Sequence, residues 1–170
     1  MSELQSDNYS SWEIFKNAGF TGKLALALST WFGSGLLPRA PGTFGTVAAI
    51  PVVLGMNCLG VWPALVFLIA FTFGAVWSSQ VSRRLLGPTD PSEVVIDEVA
   101  GFLLTMLFLP HSRTILFAGF ILFRFFDIIK PYPIKRIERL KGGYGIVMDD
   151  MMAGLYAHMG LRIIICFTGS

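Results

Sequence analysis

The sequence contains few charged residues for its length. Only 14% of its 170 residues are charged and 54% are hydrophobic, whereas a typical soluble domain is about 25% charged. A chain of this size has too high a surface-to-volume ratio to hide so much apolar surface from water. The composition therefore excludes a soluble monomer, a disordered chain and a nucleic-acid-binding protein. It predicts an integral membrane protein that contacts the lipid bilayer.

Common signatures of catalytic sites are also missing. The chain has two cysteines, Cys58 and Cys166, which lie far apart in apolar stretches without the spacing of a metal site or a disulfide framework. It has no P-loop, no HExxH and no GxSxG motif. We interpret His158 as a hydrogen-bonded core residue and His111 as a solvated residue of a turn. The remaining candidates for chemistry are charged residues inside or beside apolar segments.

Apolar segments predict an all-α membrane protein, a compact bundle of about five transmembrane helices. A spanning helix needs roughly 20 mostly apolar residues. Residues 22–37 are fewer and are interrupted by glycines, so this segment is either a re-entrant or interfacial helix or a full span. We expect residues 1–21 to form a tail and residues 22–170 to form one membrane-embedded catalytic domain. The predicted spans are 44–62, 63–79, 94–109, 112–129 and 146–167.

Lysine and arginine are unevenly distributed between the two ends of these predicted helices. One end carries eight of them: Arg39, Arg83, Arg84, Lys130, Lys135, Arg136, Arg139 and Lys141. The other end carries Arg113 and Arg162. Because cytoplasmic loops of membrane proteins are enriched in lysine and arginine, we expect the first end to face the cytoplasm and the C-terminus to lie outside.

Carboxylates occur at three places in or beside the predicted spans. Asp97 and Glu98 open the third span, Asp127 lies near the inner end of the fourth, and Asp149 and Asp150 open the fifth. Charged groups at such positions are costly and are functional candidates by default. The alternating topology brings all five to the same cytoplasmic depth.

The fourth span carries Arg124, Asp127 and Lys130 at intervals of three residues, which predicts one polar stripe on a helix. One interpretation is an ion-paired helix end whose long side chains reach the interface. The other is a site in which Arg124 and Lys130 hold phosphate oxygens, the arginine in bidentate fashion and the lysine as a point charge.

Five carboxylates at one membrane surface would repel one another unless a hard cation held them. Mg²⁺ takes oxygen ligands and keeps waters for a phosphate. A Pro/Gly-rich turn at Pro41, Gly42 and Thr43 arrives at the same depth, and its backbone N–H groups could cradle an anion. Together these features predict metal-assisted phosphoryl chemistry on a membrane-embedded substrate.

Two predicted helices share a local pattern. IDEVAG at 96–101 and DDMMAG at 149–154 each place a carboxylate pair one turn before Ala-Gly. Small residues let transmembrane helices approach closely, so Gly101 and Gly154 could draw the two carboxylate pairs together. Ordinary small-residue packing beside unrelated acids would give the same pattern.

Four motifs, in this order and spacing, carry a family resemblance. They are GSGLLPRAPGTFGT, VVIDEVAG, RFFDIIKPYPI and GGYGIVMDDMMAG. Over roughly residues 30–160 the chain resembles the phosphatidylglycerophosphatase A family. The resemblance implies a Mg²⁺-dependent phosphatase of the bacterial inner membrane. Its reaction would be hydrolysis of phosphatidylglycerophosphate to phosphatidylglycerol and inorganic phosphate on the cytoplasmic face.

The resemblance also implies roles for individual residues. The implied catalytic residues are Asp97, Asp127, Asp149 and Asp150. The implied metal ligands are Asp97, Glu98, Asp127, Asp149 and Asp150. The implied phosphate-binding residues are Pro41, Gly42, Thr43, Arg124 and Lys130. Neighbours such as Asp149 and Asp150 point about 100° apart on a helix, so we expect the two to act differently.

Two other classes of protein share part of the pattern. A CDP-alcohol phosphotransferase also sets acids at a membrane face, but its Asp-rich motif with Ala-Arg is absent here. A small cation-coupled transporter would use an acidic ion site. A carrier, however, places that site near the bilayer midplane and often shows inverted repeats. A lipid phosphatase is therefore our prediction, and the transporter is the alternative.

Overall fold

The computed structural model describes residues 11–37, 39–87, 91–110, 112–140 and 142–168. Residues 1–10 of the predicted tail, His111 and Lys141 lie outside the described residues. Regular structure in the described part is entirely helical, which confirms the all-α prediction. The helices are α1 (Ser11–Asn17), α2 (Phe20–Ser29), α3 (Pro41–Ala48), α4 (Ile50–Asn57), α5 (Val61–Leu86), α6 (Ile96–Thr105), α7 (Arg113–Ile129), α8 (Ile134–Ile137) and α9 (Gly143–Thr168).

Helices α5 and α9 are long and apolar enough to cross a membrane. Each has 26 residues and is therefore about 39 Å long, more than the ~30 Å hydrocarbon core of a bilayer. Both exceed the predicted spans. Helix α5 continues through Arg83 and Arg84, which we expected in a loop, and ends only where Gly87 takes a positive φ of 133°.

The prediction of five spans is not confirmed, because among the described helices only α5 and α9 meet the length and composition needed. Helix α7 agrees with its predicted bounds, and Ser112 caps its start by accepting a hydrogen bond from Ile115 N at 3.1 Å. Helix α6 has only 10 residues. The predicted span 44–62 is divided into α3 and α4, since the ring of Pro51 would clash with the carbonyl of Val47 in a continuous helix.

Residues 22–37 form part of α2, a turn and a short 3₁₀ segment at Ser34–Leu36. Helix α2 is too short to span a membrane. Its polar face meets the end of α5, where the hydroxyls of Ser29 and Ser82 lie 2.7 Å apart. The indole Nε1 of Trp31 donates to the carbonyl of Ala48 at 3.2 Å. These contacts join the end of α2 and the following turn to both α5 and α3.

The short helix α6 lies at the centre of the bundle, packed against α9, α7 and α5. Its Phe102 and Leu103 are fully buried, as is Phe123 of α7. Helices α6 and α9 cross at Gly101 and Gly154, where a Cβ on Gly154 would overlap the carbonyl oxygen of Gly101. The predicted close approach is therefore present, and it sets the first turn of α6 beside the second turn of α9.

Candidate active site

Four segments enclose one polar cavity of about 280 Å³. They are the start of α3, residues 91–98, the end of α7 and the second turn of α9. The predicted site residues that line it are Pro41, Gly42, Asp97, Glu98, Arg124, Asp127, Lys130, Asp149 and Asp150. Thr43 does not line it. The segment before α6, represented by Pro91 and Ser92, also lines the cavity and was not predicted, because these two uncharged residues precede the predicted span 94–109.

Three carboxylates converge at the base of this cavity. One oxygen from each of Asp97, Glu98 and Asp150 lies within 4.8 Å of the others. Asp150 is only 4% exposed, and Glu98 Oε2 is buried without a hydrogen-bond partner in the part of the chain that the structure describes. Buried charge is expensive unless it is paired or coordinates a metal. An all-oxygen set of this kind fits a hard divalent cation.

Glycines allow this convergence. A Cβ on Gly101 would lie 2.6 Å from the carbonyl oxygen of Asp150, so only glycine lets α6 approach α9 this closely. A Cβ on Gly42 would overlap Glu98 Oε1, so a side chain there would displace the Glu98 carboxylate. A side chain at Gly101 would instead push α6 away from α9.

Arg124 lies between Asp127 and Glu98, one of the three converging carboxylates. Its Nη1 lies 2.7 Å from Asp127 Oδ2 and 3.7 Å from Glu98 Oε1. This ion pair is the contact that the first interpretation of the polar stripe expects. Arg124 Nε is buried and donates no hydrogen bond within the described residues. The Arg124 side chain also lines the cavity.

Lys130 departs from the predicted stripe. It is the C-cap of α7 with a left-handed φ of 45°, so its side chain leaves the face that carries Asp127. Its Nζ donates to Asp149 Oδ2 at 2.6 Å and to Glu138 Oε1 at 2.9 Å. Partial burial lowers the pKa of the Lys130 ammonium, but these two hydrogen bonds outweigh burial, and the pKa lies above its ordinary value. Lys130 is therefore a cation at neutral pH.

Adjacent Asp149 and Asp150 have different surroundings, as expected from their positions on a helix. Asp149 pairs with Lys130, and its other oxygen, Oδ1, is buried and has no hydrogen bond to any described residue. Asp150 belongs to the carboxylate cluster with Asp97 and Glu98. Glu138 was missed as a site residue. The signal for it was a lone carboxylate in the basic stretch IKRIERLK.

The segment at Pro41, Gly42 and Thr43 is helical rather than a turn, which corrects the prediction. It forms the first turn of α3, with Pro41 at the start and no side-chain hydrogen bond from the N-cap residue Ala40. The first N–H groups of a helix have no acceptor inside it. A helix start can therefore bind an anion, and this one opens into the cavity.

His158 of α9, the remaining candidate, lies beside the other end of α6. His158 Nδ1 is 3.1 Å from the carbonyl oxygen of Thr105, and Arg162 Nε donates to His158 Nε2 at 3.3 Å. The prediction of a hydrogen-bonded histidine is confirmed. Cys58 and Cys166 are both free and exposed, so the two do not form a disulfide.

Comparison with known proteins gives one consistent family. The family model for phosphatidylglycerophosphatase A matches residues 27–165. Proteins named phosphatidylglycerophosphatase A are 38% identical in Haemophilus influenzae over 76% of this chain and 82% of the relative. In Escherichia coli the identity is also 38%, over 75% of this chain and 76% of the relative.

A Bacteroides thetaiotaomicron protein, provisionally named a phosphatidylinositol-3-phosphatase, is 36% identical over 82% of this chain and 92% of its own length. No solved structure matches the chain significantly. The carboxylate cavity lies wholly within the matched range. This chain therefore belongs to the phosphatidylglycerophosphatase A family of phosphoric monoester hydrolases, which are lipid phosphatases.

Proposed function

We propose that this protein hydrolyses phosphatidylglycerophosphate to phosphatidylglycerol and inorganic phosphate, with Mg²⁺ as its cofactor, in phospholipid biosynthesis. The observation that carries the proposal is the polar cavity. It combines three converging carboxylates, one of which has an unsatisfied oxygen, with two cations and a helix start. Such a cavity suits a doubly charged phosphate and a divalent cation together.

The relatives' names guide the choice of substrate. Phosphatidylglycerophosphate and phosphatidylinositol 3-phosphate each carry a phosphate monoester on a polyol that a phosphodiester joins to the lipid. We propose the first of these because two relatives named for it are 38% identical to this chain.

Asp97, Glu98 and Asp150 would hold the Mg²⁺ ion, since their oxygens already converge. Asp127 and Asp149, which the family resemblance also places among the ligands, border this cluster while they pair with Arg124 and Lys130. When bound, Mg²⁺ would neutralise part of the phosphate charge and favour attack by water.

The chain's own groups would orient the phosphate. Arg124 Nε and Lys130 Nζ would donate to its oxygens, and the first turn of α3 at Gly42 and Thr43 would add backbone N–H groups. Positioned donors of this kind stabilise the charge that spreads over the oxygens in the transition state.

We assign the proton transfer to Asp149, whose Oδ1 has no hydrogen-bond partner among the residues that the structure describes. Oδ1 would accept a proton from the attacking water as the bond between phosphorus and the glycerol oxygen breaks. The released glycerol oxygen takes a proton from solvent, and Asp149 returns its proton to solvent. Direct attack by an aspartate, giving an aspartyl phosphate, is the other route. Trapping with hydroxylamine during turnover distinguishes the two, because only the second forms a reactive acyl phosphate.

We further propose that the protein spans the bacterial inner membrane about five times, with the cavity on the cytoplasmic side. The supports are the two long apolar helices and the excess of lysine and arginine at the cavity end. Cys58, exposed in the turn before α5, tests this. An impermeant maleimide should label Cys58 in intact cells and should not label Leu85→Cys in a variant without native cysteines. The opposite pattern would overturn the orientation.

The central experiment is phosphate release by the purified protein from phosphatidylglycerophosphate in neutral detergent micelles. Release should require Mg²⁺, stop with a chelator and resume when Mg²⁺ is restored. Absence of release at any Mg²⁺ concentration would overturn the proposal. Mg²⁺-independent release would overturn the cofactor assignment alone. Proteoliposomes that carry a cation flux without any phosphate release would instead support the transporter alternative.

A further inference from the structure

A second cavity, of about 500 Å³, adjoins the catalytic one on the side of α8. It is lined by Lys130, Tyr132, Lys135, Arg136 and Arg139. Lys130 also lines the catalytic cavity. Lys130 therefore forms part of both walls, and the two cavities adjoin at this residue.

The cations of this outer cavity differ from those of the inner one. Arg124 and Lys130 are paired with carboxylates. Lys135, Arg136 and Arg139 are exposed, and within the described residues they form no ion pair with a carboxylate. The nearby acid, Glu138, is paired with Lys130 instead. The outer cavity thus presents three positive charges without a counter-charge from the protein.

The outer cavity also has a fixed position. Ile134 of α8 is fully buried in the main core, and the hydroxyl of Tyr156 on α9 donates to the carbonyl of Tyr132 at 3.2 Å. Helix α8 is therefore attached to the same helix that carries Asp149 and Asp150. The distance between the two cavities is set by the fold and not by a free loop.

We infer that the outer cavity binds the phosphodiester of the substrate while its terminal phosphate monoester occupies the catalytic cavity. This rests on the proposed function. In phosphatidylglycerophosphate the two phosphates are separated by one glycerol unit, and the two cavities share Lys130 as a wall residue. The cations near α8 then select lipid monoesters that carry a second, diester phosphate over phosphatidate, which has none.

The test compares two substrates in neutral detergent micelles, phosphatidylglycerophosphate and phosphatidate. Arg136→Gln/Arg139→Gln removes two charges from the outer cavity while keeping long polar side chains. We expect kcat/KM for phosphatidylglycerophosphate to fall about tenfold, as for the loss of one charge-assisted hydrogen bond. For phosphatidate we expect a change of less than about twofold, because it places no phosphate there.

Two matched variants complete the design. Arg136→Lys/Arg139→Lys should restore most of the lost activity, which a merely structural role of these side chains would not predict. Arg84→Ala removes a charge beside a different cavity that shares no residue with the catalytic one. This variant should leave the ratio of the two kcat/KM values unchanged.

The outcomes are distinct. If the wild-type protein hydrolyses neither lipid, the proposed function fails. If it hydrolyses phosphatidylglycerophosphate but the glutamine variant loses both activities equally, or neither, the inference about the outer cavity fails while the function stands. A loss seen only on vesicles rich in anionic bulk lipid, and absent in neutral micelles, would mean that the cavity binds bulk lipid and would also overturn the inference.

Discussion

Polar side chains lie beside both ends of helix α6, but their surroundings differ. At the start, Glu98 Oε2 is buried beside Asp97 and Asp150 and has no hydrogen bond within the described residues. Beyond the other end, His158 is held between the carbonyl of Thr105 and the side chain of Arg162. Arg162 also donates to a backbone carbonyl, that of Phe108, at 3.4 Å.

This difference separates a binding site from a structural network. A buried polar group without a partner costs about 1–3 kcal/mol, and more when it is charged. The polar groups beyond the end of α6 are hydrogen-bonded within the protein. The unpaired carboxylate oxygen at its start is instead what we expect where a ligand completes a binding site. We therefore expect substitutions near Asp150 to affect catalysis first, and substitutions near His158 to affect stability first.

The largest effect should come from Asp150→Asn. The amide keeps the shape of the side chain but removes one charge from the carboxylate cluster. Phosphatase activity should fall about a thousandfold, the upper end of what one preorganised electrostatic group contributes. The melting temperature without Mg²⁺ should stay the same or rise, because one of three mutually repelling carboxylates is gone. Activity and thermal unfolding measured on the same preparation check both parts.

A Mg²⁺ titration of each acid variant gives the matched comparison. Excess Mg²⁺ should partly rescue a variant that has lost only a ligand, and it should not rescue the loss of a proton acceptor such as Asp149→Asn. Asp97→Asn, Glu98→Gln and Asp127→Asn complete the series. Near-normal activity in all five would show that the carboxylate cluster is not the active site.

Helix separation should have the next largest effect. Gly154→Leu would place a side chain against the backbone of Gly101 and push α6 away from α9. We expect about a hundredfold loss of activity, because a displacement of about 1 Å is enough to cost that much. Gly74→Leu on α5 is the control, since a Cβ there meets no atom within 4 Å. Wild-type turnover by a folded Gly154→Leu protein would contradict the role of the helix crossing.

Loss of a cation should cost less than loss of a ligand. Lys130→Ala leaves Asp97, Glu98 and Asp150 in place, so its defect should persist at saturating Mg²⁺ as a raised KM, a lowered kcat or both. One charge-assisted contact corresponds to about a ten- to hundredfold change. Kinetics over a range of Mg²⁺ concentrations measure this. Full rescue by Mg²⁺ would assign Lys130 to the metal site instead of the phosphate.

Local sequence rules predicted part of this site. The pairing of Arg124 with Asp127 follows from a spacing of three residues on a helix, and the α6–α9 contact follows from Gly101 and Gly154. The partner of Lys130 did not follow. Its left-handed backbone turns the side chain towards Asp149 on another helix, and a choice between distant partners is made by tertiary packing.

Helix lengths, like the partner of Lys130, depend partly on tertiary packing that the sequence pattern does not predict. Composition predicted α7 and α9 well, because long apolar segments without breakers specify a continuous helix. It overestimated the segment at 44–62, where Pro51 separates α3 from α4, and it overestimated α6, which ends at Thr105. Apolar composition indicates burial in lipid or in protein alike. Helix α6 is apolar because α5, α7 and α9 surround it.

The smallest effect on catalysis should come from the satisfied end of α6. His158→Ala removes the group that links the carbonyl of Thr105 to Arg162, while the carboxylate cluster keeps all its members. The free energy of unfolding should fall by about 1 kcal/mol, the net contribution of a typical intramolecular hydrogen bond. Activity per folded molecule should stay within about twofold of wild type. Thermal unfolding and kcat of the variant test this pair of expectations. A stable but inactive His158→Ala protein would show that the network at the far end takes part in catalysis, and the difference between the two ends would then have another cause.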